Sequence, residues 1–209
     1  MHIAFALYDD MTVLDLVGPY QVLSLLPGAR VSLAATTAGP KRTDSGMVIH
    51  ADVATSEVKA PDVLVVPGTG SPQTPLADEK LIAWLAAVHE TSTWTCSVCT
   101  GSLLLGAAGV LQGKRATTHW LALDALRSFG AEPTGERVVF DGKVVTAAGV
   151  SSGIDMALAL VARVAGGETA QAIQLAIEYD PQPPFDAGAP QKASAAVREA
   201  ATKLLQAAS

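Results

Sequence analysis

The feature that most constrains the fold of this chain is an alternation of short, unbroken apolar runs with segments of helical period. Ile3 to Leu7, Arg30 to Ala35 and Asp62 to Gly68 read as strands, the last ending in a Gly-rich loop, and Ser92 to Cys96 reads as a fourth. Between them, Val13 to Leu25 carries a helix-like apolar face crossed by Gly18-Pro19. Asp78 to His89 sets Leu81, Ile82, Leu85 and Val88 on one side of a helix, and Gly101 to Ala108 reads as another. A strand wet on one face alternates polar with apolar, whereas a continuous apolar strand is covered on both faces. The pattern therefore predicts an α/β protein with a mainly parallel sheet and helices on both of its faces.

Further along, Trp120 to Phe129 reads as helical. Arg137 to Phe140 and Lys143 to Ala147 flank Asp141-Gly142, a hairpin-turn signal. Ile154 to Val164 and Glu168 to Tyr179 read as helices parted by Gly166-Gly167. Prolines keep Asp180 to Phe185 extended, and Lys192 to Ala207 forms a last helix. No repeat, low-complexity tract or linker divides the chain. It reads as one domain over 1–209, with a C-terminal extended segment and helix at about 180–207.

Composition narrows the function. Hydrophobic residues make up 49% of the chain and aromatic ones 5%, which describes a compact protein rather than a disordered one. The formal net charge of −6 argues against nucleic-acid partners. No basic run suggests a membrane surface, and no apolar run suits a bilayer span. The opening residues lack a basic leading segment and meet Asp9 and Asp10 at once, so no signal peptide is expected and the expected location is cytoplasmic. There, both cysteines stay reduced. The four histidines are scattered singly, so no metal site is expected.

Chemistry concentrates in Thr95-Cys96-Ser97-Val98-Cys99-Thr100-Gly101-Ser102, where a strand meets a helix. A cysteine at such a turn is lifted out of the sheet, and the helix start offers N–H groups and a positive dipole end, so a lowered Cys99 pKa is expected. The alternative is a small buried core residue. Cys96 and Cys99 also have redox-pair spacing, but Cys96 closes the strand instead of opening the helix. Cys99 needs an acid or base and donors for developing charge. Asp15 lies in the apolar stretch Val13-Leu14-Asp15-Leu16-Val17, where it either serves catalysis or completes a capping box with Thr12. Gly68 and Gly70 offer backbone N–H groups or form a plain turn. Thr100 donates to substrate or begins the helix. His119 activates Cys99 or is structural, and Trp120 walls a pocket or packs in the core.

Together these residues resemble the ThiJ/PfpI superfamily. The match runs through Leu14 to Pro19, Val66-Pro67-Gly68, the Cys99 turn, Gly113 to Trp120 and Thr146 to Asp155. That resemblance implies a flavodoxin-like, class I glutamine-amidotransferase-like sandwich and a homodimer. Within the superfamily the chain is most similar to the isonitrile hydratases, on Asp15 in the first helix, Thr100 after the cysteine, and the tail Gln174 to Asp186. One departure is Pro67-Gly68-Thr69-Gly70, where the second position of the usual double glycine is changed.

The resemblance implies hydration of an isonitrile to an N-substituted formamide through a thioimidate-like intermediate. Cys99 is the nucleophile, and Asp15, with a raised pKa, moves the protons. Thr100, Gly68, Gly70, His119 and Trp120 form the surroundings, and the reaction needs no cofactor and no metal. Rival readings are glyoxalase-type or related thiol chemistry on small carbonyl compounds, a cysteine redox sensor, and the ligand-binding half of a transcription regulator. The residues after the tail leave no helix-turn-helix pair, which argues against the last.

Overall fold

A computed structural model describes residues 1–207. Its sheet elements are β1 (His2–Ala6), β2 (Arg30–Ala35), β3 (Gly39–Arg42), β4 (Val48–Ala51), β5 (Val53–Ala54), β6 (Val63–Val66), β7 (Trp94–Val98), β8 (Arg115–Ala116), β9 (Glu132–Pro133), β10 (Val138–Asp141) and β11 (Val144–Ala147). The helices are α1 (Val13–Leu23), α2 (Gln73–Leu76), α3 (Glu79–Thr91), α4 (Gly101–Ala107), α5 (Ser152–Ala165), α6 (Gly167–Ala176) and α7 (Ala195–Ala207).

Seven strands form one sheet in the order β10-β11-β7-β6-β1-β2-β5. Every pairing in it is parallel except β10 with β11, the hairpin expected at Asp141-Gly142. The central strands are buried past their first residues, and all four residues of β6 are fully covered. Helices α1, α5 and α6 pack together as one group, and α2, α3 and α4 as another against β6 and β7. This is the expected α/β sandwich.

Chain order reverses at β1. The next strand, β2, lies on one side of it, and β6 returns on the other. The carboxyl ends of β1 and β6 thus border the crevice where open α/β sheets place their ligands, with β7 and β11 ending alongside. Gly18-Pro19 is the crossing point of α1 and α5. A Cβ on Gly18 would meet Ile154 at 3.1 Å, and one on Gly153 would meet Pro19 at 3.0 Å. Pro19 also has no N–H, so the Asp15 carbonyl lacks its i+4 donor inside α1.

Several local expectations shift. The strand at Cys96 runs from Trp94 to Val98, so Cys96 is fully buried in mid-strand, not at its end. Residues 120–129 form successive 3₁₀ turns rather than an α-helix, closed by Gly130 at φ 72°. The β3–β4 hairpin was not legible because Gly39, Pro40 and the exposed Val48 break the alternation that marks a strand. Helix α7 begins at Ala195. Among the described residues, no helix is long and apolar enough to cross a membrane.

Candidate active site

Cys99 occupies the turn between β7 and α4 with φ 56°, a left-handed conformation that few non-glycine residues adopt. Such strain persists only where the surroundings over-determine it. Here its N–H is shared between the Ala147 and Ala148 carbonyls at 3.1 and 2.9 Å. Its carbonyl accepts from the Thr118 hydroxyl at 2.9 Å and the Ser102 hydroxyl at 3.1 Å. The next residue is clamped as well: the Thr100 hydroxyl donates to the Thr69 carbonyl at 2.7 Å and accepts from the Thr69 N–H at 2.8 Å. Gly101 lets α4 start against β6, since a Cβ there would stand 2.2 Å from the Val66 carbonyl oxygen.

Asp15 reaches the same point from α1. It is completely buried, and its Oδ2 accepts from the Gly68 N–H at 2.8 Å. Oδ1 has no regular hydrogen bond among the described residues, and the carboxyl group lies against the Cys99 thiol. The capping-box alternative fails. Thr12 makes no side-chain cap, and its hydroxyl donates to Asp44 at 2.7 Å instead.

Burial pushes the Asp15 pKa up from 3.8 to about 7, against the pull of the Gly68 N–H and the thiol, and the nearby Asp44 charge adds to the rise. The expected lowering of the Cys99 pKa is overturned. Burial, followed by the Asp15 charge, holds the thiol above its ordinary range, although the N–H groups of Thr100 and Val150 favour the thiolate. Desolvation outweighs the dipole of a seven-residue helix. Cys96, fully buried, is likewise raised by burial.

Cys99 is 5% exposed and opens onto a cavity of about 630 Å³. Gly70, Thr100, His119 and Val150 border the same cavity, and Leu205 of α7 contributes to its wall. The Gly68 N–H is committed to Asp15, so of the two loop glycines Gly70 is the one whose N–H finds no protein acceptor among the described residues. A Cβ on Gly68 would lie 2.6 Å from the Thr100 nitrogen and 2.9 Å from Asp15 Oδ2. Thr69, at the changed loop position, staples the loop: its hydroxyl donates to the Asp10 carbonyl at 2.6 Å and accepts from the Ser71 N–H at 3.0 Å.

His119 borders the cavity without a hydrogen bond to Cys99, and burial lowers its pKa, keeping the ring neutral. A Cβ on Gly149 would come within 2.6 Å of that ring, so glycine makes room for it. Trp120 borders a separate cavity of about 260 Å³ on the other side of His119, not the one that holds Cys99. Tyr8 is a site residue that sequence reasoning missed; its buried hydroxyl donates to the Pro67 carbonyl at 2.5 Å. Val150, at φ 40°, is another, and the strand-then-Gly149 pattern before it was the available signal. Among the described residues, no three of His, Cys, Asp or Glu converge as a metal site.

The chain matches the DJ-1/PfpI family over residues 1–163. It belongs to that family. It is 41% identical over 203 residues to the isonitrile hydratase of Pseudomonas putida, a match covering 97% of this chain and 89% of that one. A crystal structure of a ThiJ/PfpI family protein from Pseudomonas syringae superposes with a TM-score of 0.95 at 40% identity, covering 98% of this chain and 86% of the other. A more distant relative, the deglycase TK1284 of Thermococcus kodakarensis, is 30% identical over 66% of this chain and 84% of its own.

Proposed function

We propose that this protein hydrates isonitriles to N-substituted formamides, with Cys99 as nucleophile and Asp15 as the group that moves protons. The observation that carries the reading is the burial of the Asp15 carboxyl against the Cys99 thiol at the floor of the cavity, in a chain 41% identical to an isonitrile hydratase.

The electronic demand of the reaction suits this pair. The terminal carbon of an isonitrile is electrophilic and becomes carbanionic when a nucleophile adds, so it needs a proton at once. The thiol proton passes to Asp15 as sulfur attacks, and Asp15, with a pKa of about 7, returns it to that carbon. The result is an S–C bond and a C–H bond in a thioimidate. Asp15, now a carboxylate, takes a proton from water as the water oxygen adds to the same carbon, and passes that proton to the substrate nitrogen. Collapse of the adduct forms the formamide carbonyl and breaks the C–S bond, and the hydroxyl proton passes through Asp15 to the departing sulfur and restores the thiol. The N–H groups of Thr100 and Val150 stabilise sulfur as it gains charge and later as it departs. With its hydroxyl held by Thr69, Thr100 acts through its backbone and by fixing the loop. The Gly70 N–H and neutral His119 complete the surroundings of the substrate.

The protein acts in a reducing compartment, the cytoplasm, and as a homodimer; exposed Leu14, Val17 and Tyr20 on α1 supply an apolar surface for the second copy. Turnover of a simple alkyl isonitrile, followed by appearance of the formamide, tests the assignment, with methylglyoxal as the competing substrate. Formamide production lost in Cys99→Ala supports it. Methylglyoxal turnover without isonitrile turnover replaces it with the carbonyl chemistry suggested by the deglycase relative.

A further inference from the structure

The ionisable groups around the cavity are unevenly signed. Asp10 and Asp44 stand on its wall, no lysine or arginine borders it among the described residues, and His119 is held neutral. Neither Asp10 nor Asp44 has an ion-pair partner among the described residues. The cation nearest Asp44 in sequence, Arg42, turns its guanidinium to the Gly46 carbonyl at 3.0 Å. Asp44 is held by the Thr12 hydroxyl, a neutral donor that leaves its charge uncompensated. That charge is felt at the floor of the site, where it adds to the rise in the Asp15 pKa. Asp10 is positioned by its backbone: its N–H donates to the Arg42 carbonyl at 2.7 Å and its carbonyl accepts from Thr69. Both residues are therefore held on the loops that build the pocket, Asp10 by its backbone and Asp44 by its carboxylate. Leu121, Ala122 and Leu205 add apolar side chains to the same cavity.

We propose that Asp10 and Asp44 set the charge specificity of the site, so that it takes small electrophiles whose substituent ends in a protonated amine or a neutral group and rejects those ending in a carboxylate. This rests on the isonitrile reading only for the identity of the reacting group. The substrate class is an isonitrile with a short apolar stem and a neutral or cationic end. Each carboxylate, at the edge of a water-filled cavity, shifts the preference by about fivefold, the size of one unit-charge contact in a wet environment.

The test uses two readouts. In the first, Cys99 is alkylated by iodoacetamide, iodoacetate or 2-bromoethylammonium at one pH and low salt. Each rate is divided by that of a neutral small thiol with the same reagent, and the modified peptide is identified by mass. Sulfur displaces iodide from the first two reagents and bromide from the third, and division by the small-thiol rate removes their different intrinsic reactivities, so the normalised rates compare the charge of the incoming group. The normalised order expected is ammonium, then amide, then carboxylate, with the outer two separated by about twentyfold or more. The gap narrows at high salt and collapses by at least fivefold in Asp10→Asn/Asp44→Asn. In the second, kcat/KM is compared for hexyl isonitriles ending in ammonium, methyl or carboxylate, with the same order expected.

Normalised alkylation rates that do not depend on charge overturn the inference even if all three isonitriles are hydrated, and the hydratase reading then stands alone. The charge order in alkylation with no hydration of any isonitrile supports the inference and removes the hydratase reading. A charge order that survives unchanged in the double variant overturns the assignment to Asp10 and Asp44.

Discussion

Asp15 is the residue on which chemistry and stability meet. Its pKa of about 7 means that, below neutrality, Asp15 and Cys99 together hold two protons, and in the proposed reaction the sulfur then has no acceptor for its own. Isonitrile kcat/KM is expected to rise tenfold per pH unit up to a limb near pH 7 and then level off. In Asp15→Asn the limb disappears and the rate falls by about 10²–10⁴, read from the pH–rate profile. The same group sets a slope in stability. The folded protein binds more protons than the unfolded chain between the ordinary carboxyl value of 3.8 and about 7, so stability falls as pH rises through that window and is flat above it. The full effect is about 4 kcal/mol at most. Asp15→Asn is expected to lose this slope and to have the higher denaturation midpoint at pH 8, measured by urea titration at several pH values. Gly68 shows the opposite economy of space. Gly68→Ala forces a methyl group into the Thr100 nitrogen and the Asp15 carboxylate, and is expected to lower stability by about 1–3 kcal/mol and activity at least tenfold.

At the scale of elements, the Cys99 turn is held from three sides: the β11 end through its N–H, Thr118 through its carbonyl, and the β6 loop through Thr100. Thr100→Val keeps the shape but removes both hydroxyl bonds and strands the Thr69 N–H. A loss of about 1–3 kcal/mol in stability and a falling kcat are expected from thermal unfolding and single-turnover rates. Helix α7 plays a different part. Its side chains are largely exposed, yet Leu205 borders the cavity at 42% exposure. Leu205→Ala is expected to raise KM for apolar isonitriles several-fold with little change in melting temperature, because that side chain contributes more to the pocket wall than to the core.

Across the whole molecule, the sheet order explains why residues distant in sequence meet. The reversal at β1 brings the ends of β1, β6, β7 and β11 to one edge, and α1 carries Asp15 to that edge because Gly18 and Pro19 let it cross closely over α5. If the exposed apolar side chains of α1 serve as the contact between copies, light scattering should report twice the chain mass. Leu14→Asp/Val17→Asp should shift the protein to one copy.

The strands, most helices and the cysteine turn were legible because their signals are local: apolar continuity, helical period, glycine and proline. The β3–β4 hairpin and the 3₁₀ turns at 120–129 were not, because their side chains follow neither period and packing decides them. Within the site, residue types and the family pattern pointed to Cys99 and Asp15. Three matters depended on tertiary structure: whether Asp15 caps its helix or faces the thiol, which loop glycine keeps its N–H, and which cavity Trp120 borders. The Cys99 pKa also depended on it. A helix start alone favours the thiolate, but burial against Asp15 favours the thiol, and desolvation is a property of everything packed around a group, which no local run of residues encodes.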